Sequence, residues 1–312
     1  MKTAGVFITR RCNLRCPYCN VPKTNHAELS YDEWTKALDI LKKLNVTKIH
    51  FLGGEPTLYP RFYDIVKYVI EKTGMECSFT TNGLVSNGVV KKIVEDFGTK
   101  VGIGVSIDEL NLDNSISPIK AKSGLKLIDY LQENKLLDQS KIIVYTVLNK
   151  KNVDSVLNNI TYFSNKGIYS YILPFHWDKQ ERFVHRKSNN ENAFVSDNDV
   201  KKFAETIDKL IAFKNAGGLL SNTAEYLEYA KDHIKNLDGR CSILSEIRVN
   251  CDGKLMCCCD KNGSVFDKFT IFDLEDDKKL KQFLLTQEED RKICDGCLWP
   301  SVYESAIRER KQ

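Results

Sequence analysis

An α/β fold is predicted by this sequence: a partial (β/α)6 TIM-like barrel followed by a small C-terminal cysteine-rich domain of β-hairpin and helix. Three observations carry the prediction. Strand-like and helix-like periods alternate from the first residues to about residue 175, which is the mark of repeated parallel crossovers. Six such strands suit an open, curved sheet better than a closed eight-stranded ring. Beyond residue 240 cysteines crowd around an Asp252-Gly253 turn, a hairpin signal. The expected divisions are a barrel over 1–216, a linking helix over 217–240 and the cysteine-rich domain over 241–312.

With 312 residues, 42% hydrophobic and 28% charged, the chain can bury a full core and fits one large domain with an appendage. Residues 1–4 run into the first strand without the features of a targeting segment, and no apolar run reaches the length of a membrane span. A cytoplasmic location is therefore expected. The net charge of +4, from 46 basic and 42 acidic residues, is too small and too mixed to argue for nucleic acid. The eleven cysteines include an N-terminal trio and a C-terminal group, a distribution that favours metal binding in a reducing compartment over disulfides.

The first strand, 3–9, leads into Cys12, Cys16 and Cys19, whose spacing lets three thiols meet at its C-terminal end. Three ligands leave one position open. That suits an iron-sulfur cubane offering its fourth iron, whereas structural zinc would be closed by a fourth protein ligand; a metal knuckle or disulfide knot is the competing reading. A helix over 31–44 follows, capped by Ser30. Strand two, 47–52, ends in Gly53, Gly54, Glu55 and Pro56, where glycines admit close backbone approach and a carboxylate can hold an ammonium group. A helix over 60–72 opens on Pro60 and stops at Gly74. Strand three, 76–80, ends at Thr81 and Asn82; after a helix over 88–97, strand four, 100–107, ends at Ser106 and Asp108. Hydroxyls, an amide and a carboxylate at successive strand ends are suitable ligand partners.

Helices over 119–134 and 153–165 flank strand five, 141–148, with Val147 near its end. Strand six, 168–174, opens into a charged loop containing His176, Asp178, Arg182, His185 and Arg186. This loop overhangs the strand ends where such sheets place their chemistry, so substrate contact by His176 or Asp178 and a plain solvated loop are both open readings. A helix over 197–215, broken at Gly217 and Gly218, and another over 222–237 complete the outer layer.

Cys241 precedes two strands, 246–250 and 254–258, around the Asp252-Gly253 turn. Pairing Cys251 with Lys254 puts Ile247, Val249, Met256 and Cys258 on one face and Glu246, Arg248 and Cys257 on the other, making Cys258 the inward thiol. A helix over 278–285 leads to Cys294 and Cys297. With Cys241 and Cys258 these make four thiolates, enough for a second iron-sulfur cluster or for zinc.

Cys12, Cys16 and Cys19, with Tyr18 before the last, resemble the CxxxCxxC signature of the radical S-adenosylmethionine superfamily. The resemblance implies a 4Fe-4S cluster whose open iron binds the amino and carboxylate groups of S-adenosylmethionine, cleavage of that cofactor to a 5′-deoxyadenosyl radical, and a flavodoxin or ferredoxin type electron donor. Gly53, Gly54, Glu55 and Pro56 resemble the family's GGEP motif, which binds the cofactor's amino group. Ser106 and Asp108 match its ribose and carboxylate contacts, and Tyr18, Thr81, Asn82 and Val147 are further cofactor-binding candidates. Cys241, Asp252-Gly253, Cys258, Cys294 and Cys297 resemble the auxiliary-cluster extension called SPASM in its long form and twitch in its short one. The one-cluster twitch form fits, which favours iron-sulfur over zinc and gives two 4Fe-4S clusters in all.

Relatives in that subgroup modify ribosomal peptides, sugars and aminoglycosides, or a purine nucleotide in molybdopterin synthesis. The last is disfavoured by the lack of a C-terminal Gly-Gly tail and by different auxiliary ligands. With the cluster motif beginning at residue 12, no leader-recognition segment is expected, which favours oxidation or rearrangement of a small molecule such as a sugar or nucleoside. A peptide maturase is the alternative, and a non-catalytic iron-sulfur or zinc protein is the alternative from another class. Cys259, directly after Cys258, resembles the thiol by which radical peptide epimerases return a hydrogen atom; a spare structural thiol is the competing role.

Overall fold

The computed structural model describes residues 3–23, 27–84, 88–134, 141–176, 191–239, 246–258, 265–294, 296–300 and 303–304. Six strands, β1 (Thr3–Thr9), β2 (Lys48–Gly53), β3 (Glu76–Thr81), β4 (Val101–Ser106), β5 (Ile142–Leu148) and β6 (Tyr169–Pro174), are joined as parallel neighbours in chain order. Between them run α1 (Tyr31–Lys43), α2 (Phe62–Tyr68), α3 (Val89–Phe97), α4 (Pro118–Glu133) and α5 (Val156–Asn165). This is the expected six-unit partial barrel. Because side chains alternate across a strand, Val6, Ile8, Ile49, Phe51, Phe79, Ile103 and Val144 enter an outer core with Trp34, Leu38, Phe62 and Val66 from the helices. His50, Ser78 and Thr80 occupy interior positions, where His50 bonds both hydroxyls.

Local chemistry sets the helix ends. Ser30 and Glu33 form a capping box on α1, and Ser196 with Asp199 does the same for α6 (Asp197–Asn215). The helix expected over 60–72 is two pieces: α2 continues as a π-helix, Val69–Thr73, where the Thr73 hydroxyl donates to the Val69 carbonyl, and Gly74 stops it at φ 66°. A second core gathers α5, α6 and α7 (Ala224–His233) around Phe203, Ile207, Leu210 and Tyr226, and takes in Leu298 and Tyr303 from the C-terminal region.

The sheet does not stop at β1. Its order is β6-β5-β4-β3-β2-β1-β7-β8-β9, with β7 (Glu246–Val249) parallel to β1 and β8 (Lys254–Met256) and β9 (Val265–Thr270) antiparallel. The hairpin register corrects the expected one by a single residue. Arg248 faces Met256 and Val249 faces Leu255, leaving Cys251, Asp252 and Gly253 as a three-residue loop closed by the Asn250 N–H to Lys254 carbonyl bond and by Gly253 at φ 80°. Ile247, Val249 and Leu255 therefore belong to the outer core, and Met256 joins Phe7, Leu52 and Trp299 instead. The helix expected over 278–285 is longer, α8 (Asp277–Lys292).

At the other edge of the sheet, β6 is covered by residues 219–222. Ser170 donates to the Leu219 carbonyl and accepts from the Ser221 N–H, while the buried Asn222 amide side chain bonds both the N–H and the carbonyl of Ile172. Among the described residues no helix is long and apolar enough to cross a membrane.

Candidate active site

The C-terminal end of β1 runs into the loop carrying Cys12, Cys16 and Cys19, all half-buried. A turn is closed by the Cys19 N–H to Cys16 carbonyl bond. Donors point at the sulfurs: the Leu14 N–H reaches Cys12 at 3.4 Å, the Asn82 amide reaches it at 3.8 Å, and Ser117 lies 3.5 Å from Cys16. Burial pushes the Cys19 thiol up to about 12 and raises Cys12, with the Val21 and Leu14 N–H groups pulling the other way. Among the described residues no three His, Cys, Asp or Glu side chains already converge on a single ion position. Three thiols on one loop, each within reach of N–H or O–H donors, still fit a cluster whose ligands sit on separate irons.

The Gly53-Gly54 step lies directly on this loop. A Cβ at Gly53 would meet the Thr9 carbonyl oxygen at 2.5 Å, and one at Gly54 the Arg11 carbonyl oxygen at 2.2 Å. The N–H groups of Gly54 and Glu55 donate to those same carbonyls, at 2.9 and 2.8 Å. The close approach that the glycines allow is therefore first to the cysteine loop itself. Glu55 is 1% exposed, and its carboxylate accepts from the hydroxyls of Thr57 and Thr81 at 2.7 and 2.9 Å and from the Asn82 N–H at 2.8 Å. Burial raises its pKa while these donors oppose the rise. Thr81 and Asn82 thus stand on Glu55, and the Asn82 amide joins Asn13 and Cys12 as well.

Asp108, 1% exposed, has both oxygens engaged. Val147 N–H donates to Oδ1 at 3.0 Å; Tyr18 hydroxyl donates to Oδ2 at 2.9 Å, and Lys120 Nζ lies 2.5 Å from Oδ2. Lys120 is itself 4% exposed and also bonds the Tyr18 hydroxyl. Burial and the Asp108 charge drive the Tyr18 phenol well above its ordinary range. Sequence reasoning missed Lys120 because one of several lysines in α4 carries no local mark of burial. Ser106 ends β4 half-exposed, beside Tyr145 in the β4–β5 register.

Two apolar groups flank these residues. Tyr18, Phe175 and Ala193 pack with Cys16, Cys19, Ile116 and Val147, while Phe7 and Met256 pack with Leu52 and Trp299. His176, at the end of β6, is buried with its ring 6.1 Å from that of Trp299. Asp178 lies outside the described residues, as do Cys241 and Cys259.

Cys258 follows β8, Cys294 follows α8, and Cys297 lies three residues beyond Cys294. The Cys297 N–H donates to the Gly239 carbonyl, two residues before Cys241, and Gly296 at φ 106° lies so close to Asp238 that a Cβ would meet its carbonyl carbon at 2.6 Å. Cys257, next to Cys258, donates its thiol to Asp290 on α8, and the Cys294 N–H caps the same helix at Arg291. Among the described residues Cys258, Cys294 and Cys297 do not converge on a single ion position.

Comparison with known proteins follows this geometry. Residues 6–173 match the model of the Radical SAM superfamily. The chain is 28% identical over 205 residues to an S-adenosylmethionine-dependent nucleotide dehydratase of Selenomonas ruminantium, covering 64% of this chain and 74% of that one. It is 28% identical over 281 residues to a GTP 3',8-cyclase of Thermodesulfovibrio yellowstonii, covering 81% and 80%. Among solved structures it resembles anSMEcpe with bound AdoMet and Kp18Cys peptide, with a TM-score of 0.64, 17% identity and coverage of 94% and 86%. Streptococcus suis SuiB bound to precursor peptide SuiA gives a TM-score of 0.61 at 14% identity, with 82% of this chain spanning only 59% of that one. Because the family match takes in more than half of the chain, from β1 through β6 and so through the loops that carry Cys12, Glu55 and Asp108, this chain belongs to the Radical SAM superfamily.

Proposed function

We propose that this enzyme uses S-adenosylmethionine and two 4Fe-4S clusters to oxidise or rearrange an unactivated carbon of a small molecule, of the sugar or nucleoside class. The observation that supports the substrate class most is that relatives covering 64% and 81% of the chain carry nucleotide names. Inside the barrel, beside Ser106, the Tyr145 ring fills the space left by Gly104 and meets Tyr171 edge to face at 5.6 Å, an aromatic wall suited to a planar base.

Cys12, Cys16 and Cys19 would hold the first cluster, and Cys241, Cys258, Cys294 and Cys297 the second. When bound, the first cluster and S-adenosylmethionine supply the one-electron chemistry that removes a substrate hydrogen atom. Glu55 would present its buried carboxylate to the cofactor's ammonium group, and Lys120, held by Asp108, would offer its ammonium to the cofactor's carboxylate. Ser106 and Val147 would meet it from the strand ends, Thr81 and Asn82 would hold Glu55 toward it, and Tyr18 and Phe175 would shield the side of the loop on which they pack. Asp108 acts through Lys120 and Tyr18, holding both in place.

A peptide substrate is the second reading, favoured by 42% identity over 67 residues to a PqqA peptide cyclase of Rhodopseudomonas palustris. In that case Cys259 would serve as hydrogen-atom donor. Anaerobically reconstituted protein, reduced chemically, should convert S-adenosylmethionine to 5′-deoxyadenosine; none formed by fully iron-loaded protein would remove the enzymatic reading. Deuterium carried into 5′-deoxyadenosine from labelled nucleosides, sugars or peptides then identifies the substrate class.

A further inference from the structure

We infer that the Thr80 hydroxyl, held as a pure acceptor by His50 on the inner wall of the barrel, selects the substrate base by receiving an N–H from its exocyclic amino group. This role rests on the nucleoside reading above and names the edge by which such a substrate is told apart. Closed barrels fill their inner positions with branched apolar side chains. Here glycine stands at 102 and 104, beside His50, Ser78 and Thr80. Accessibility alternates along these strands. On β3, Ser78 and Thr80 are half-exposed between the buried Cys77, Phe79 and Thr81, and on β5 Tyr145 is half-exposed between the buried Val144 and Thr146. The side chains that point inward thus border a hollow.

The hydrogen bonds on this wall have a direction. Burial lowers the His50 pKa to about 4, so the ring is neutral, with one N–H and one bare nitrogen. Nδ1 lies 2.8 Å from the Ser78 hydroxyl and Nε2 3.0 Å from the Thr80 hydroxyl. Ser78 donates its only O–H to the Ile49 carbonyl at 3.3 Å, so it accepts from the ring, and Nδ1 carries the proton. Nε2 is then the bare nitrogen, and Thr80 gives it the O–H. What Thr80 keeps for a ligand is lone pairs. Its position suits a planar base as well: a Cβ on Gly104 would meet both the Thr80 Oγ1, at 2.9 Å, and the Tyr145 ring, at 2.3 Å. Acceptor and aromatic ring therefore come together over one glycine. The ring offers a surface to the base while the hydroxyl accepts from the amino group at its edge. A carbonyl in place of that amino group would set two acceptors against each other.

The test is calorimetric titration of the iron-loaded, oxidised enzyme saturated with S-adenosylmethionine, where no turnover intervenes. The probes are two pairs whose members differ by one amino group: cytidine against pyrimidin-2-one riboside, and guanosine against inosine. The amino-bearing member of one pair should bind about tenfold more tightly, the effect of one net hydrogen bond. Thr80→Val, which keeps the shape and removes the acceptor, should bind both members of that pair alike. Thr80→Ser, which keeps the hydroxyl, should keep the preference. Equal affinity within both pairs in the wild type, or a preference that survives Thr80→Val, would overturn the role of Thr80 and leave the nucleoside reading standing. Failure of the wild type to bind any of these nucleosides would instead bring down the nucleoside reading and this role with it.

Discussion

The guanidinium of Arg10 donates from Nε and Nη2 to the Oδ1 of Asn250, at 2.8 and 2.7 Å, and lies over the Phe7 ring with its carbon 4.2 Å from the centroid. Arg10 stands two residues before Cys12; Asn250 closes the hairpin that leads to Cys258. One buried side chain, 5% exposed, therefore fastens the C-terminal hairpin to the cysteine loop. Arg10→Met should cost about 2–3 kcal/mol by urea unfolding, because it leaves a buried acceptor without its charged donor. Arg11→Met, at an exposed pair, should cost under about 1 kcal/mol.

Breaking the Lys120–Asp108 pair should be more damaging still. Lys120→Met leaves a buried carboxylate uncompensated and should destabilise by roughly 3–5 kcal/mol, while adding Asp108→Asn should return much of that loss. A double-mutant cycle reads the coupling; strictly additive losses would mean that the two groups do not act as a pair.

Gly54→Ala has no room for its methyl group beside the Arg11 carbonyl. The substitution should push the cysteine loop away from Glu55. The reconstituted variant should keep a reducible cluster but lose the change in its electron paramagnetic resonance spectrum that S-adenosylmethionine causes.

His50 carries the pH prediction. Its ring lines the barrel interior, bonded to Ser78 and Thr80, and burial lowers its pKa to about 4 from 6.5. The folded state thus favours the neutral ring. Its contribution is complete above pH 6.5 and is lost as pH falls toward 4, with a slope of up to roughly 1.4 kcal/mol per pH unit. Subtracting the acid stability profile of His50→Gln should remove that slope.

Iron counts test the metal sites. Reconstituted protein should bind about eight irons, and replacing Cys12, Cys16 and Cys19 by Ala should leave about four. One equivalent of zinc in protein purified without oxygen would instead overturn the auxiliary cluster.

The barrel was legible because its cues are local: period-two strands, Ser30 as a cap, Gly74 as a stop. What escaped was set by contacts distant in sequence. Lys120 and Lys122 are two residues apart in one helix, yet one is buried and the other exposed, and only the position of Asp108 decides which. The hairpin slipped by one residue because both faces are buried there, Val249 and Leu255 on one and Arg248 and Met256 on the other, so alternation of polarity could not arbitrate. The pairing of β7 with β1 joins residues about 240 apart, and nothing local announces it.

The Asn222 side chain at the rim of β6 has a consequence for assembly. By satisfying the donor and the acceptor of Ile172 from a side chain, it makes a counterfeit rung that no further strand can extend. A seventh barrel strand is shut out at this position, and so is a neighbouring molecule seeking to add its own. Together with the short parallel pairing of Ser170 with Leu220, it leaves Ser170 and Ile172 with no open rung on which a neighbouring copy could build edge to edge.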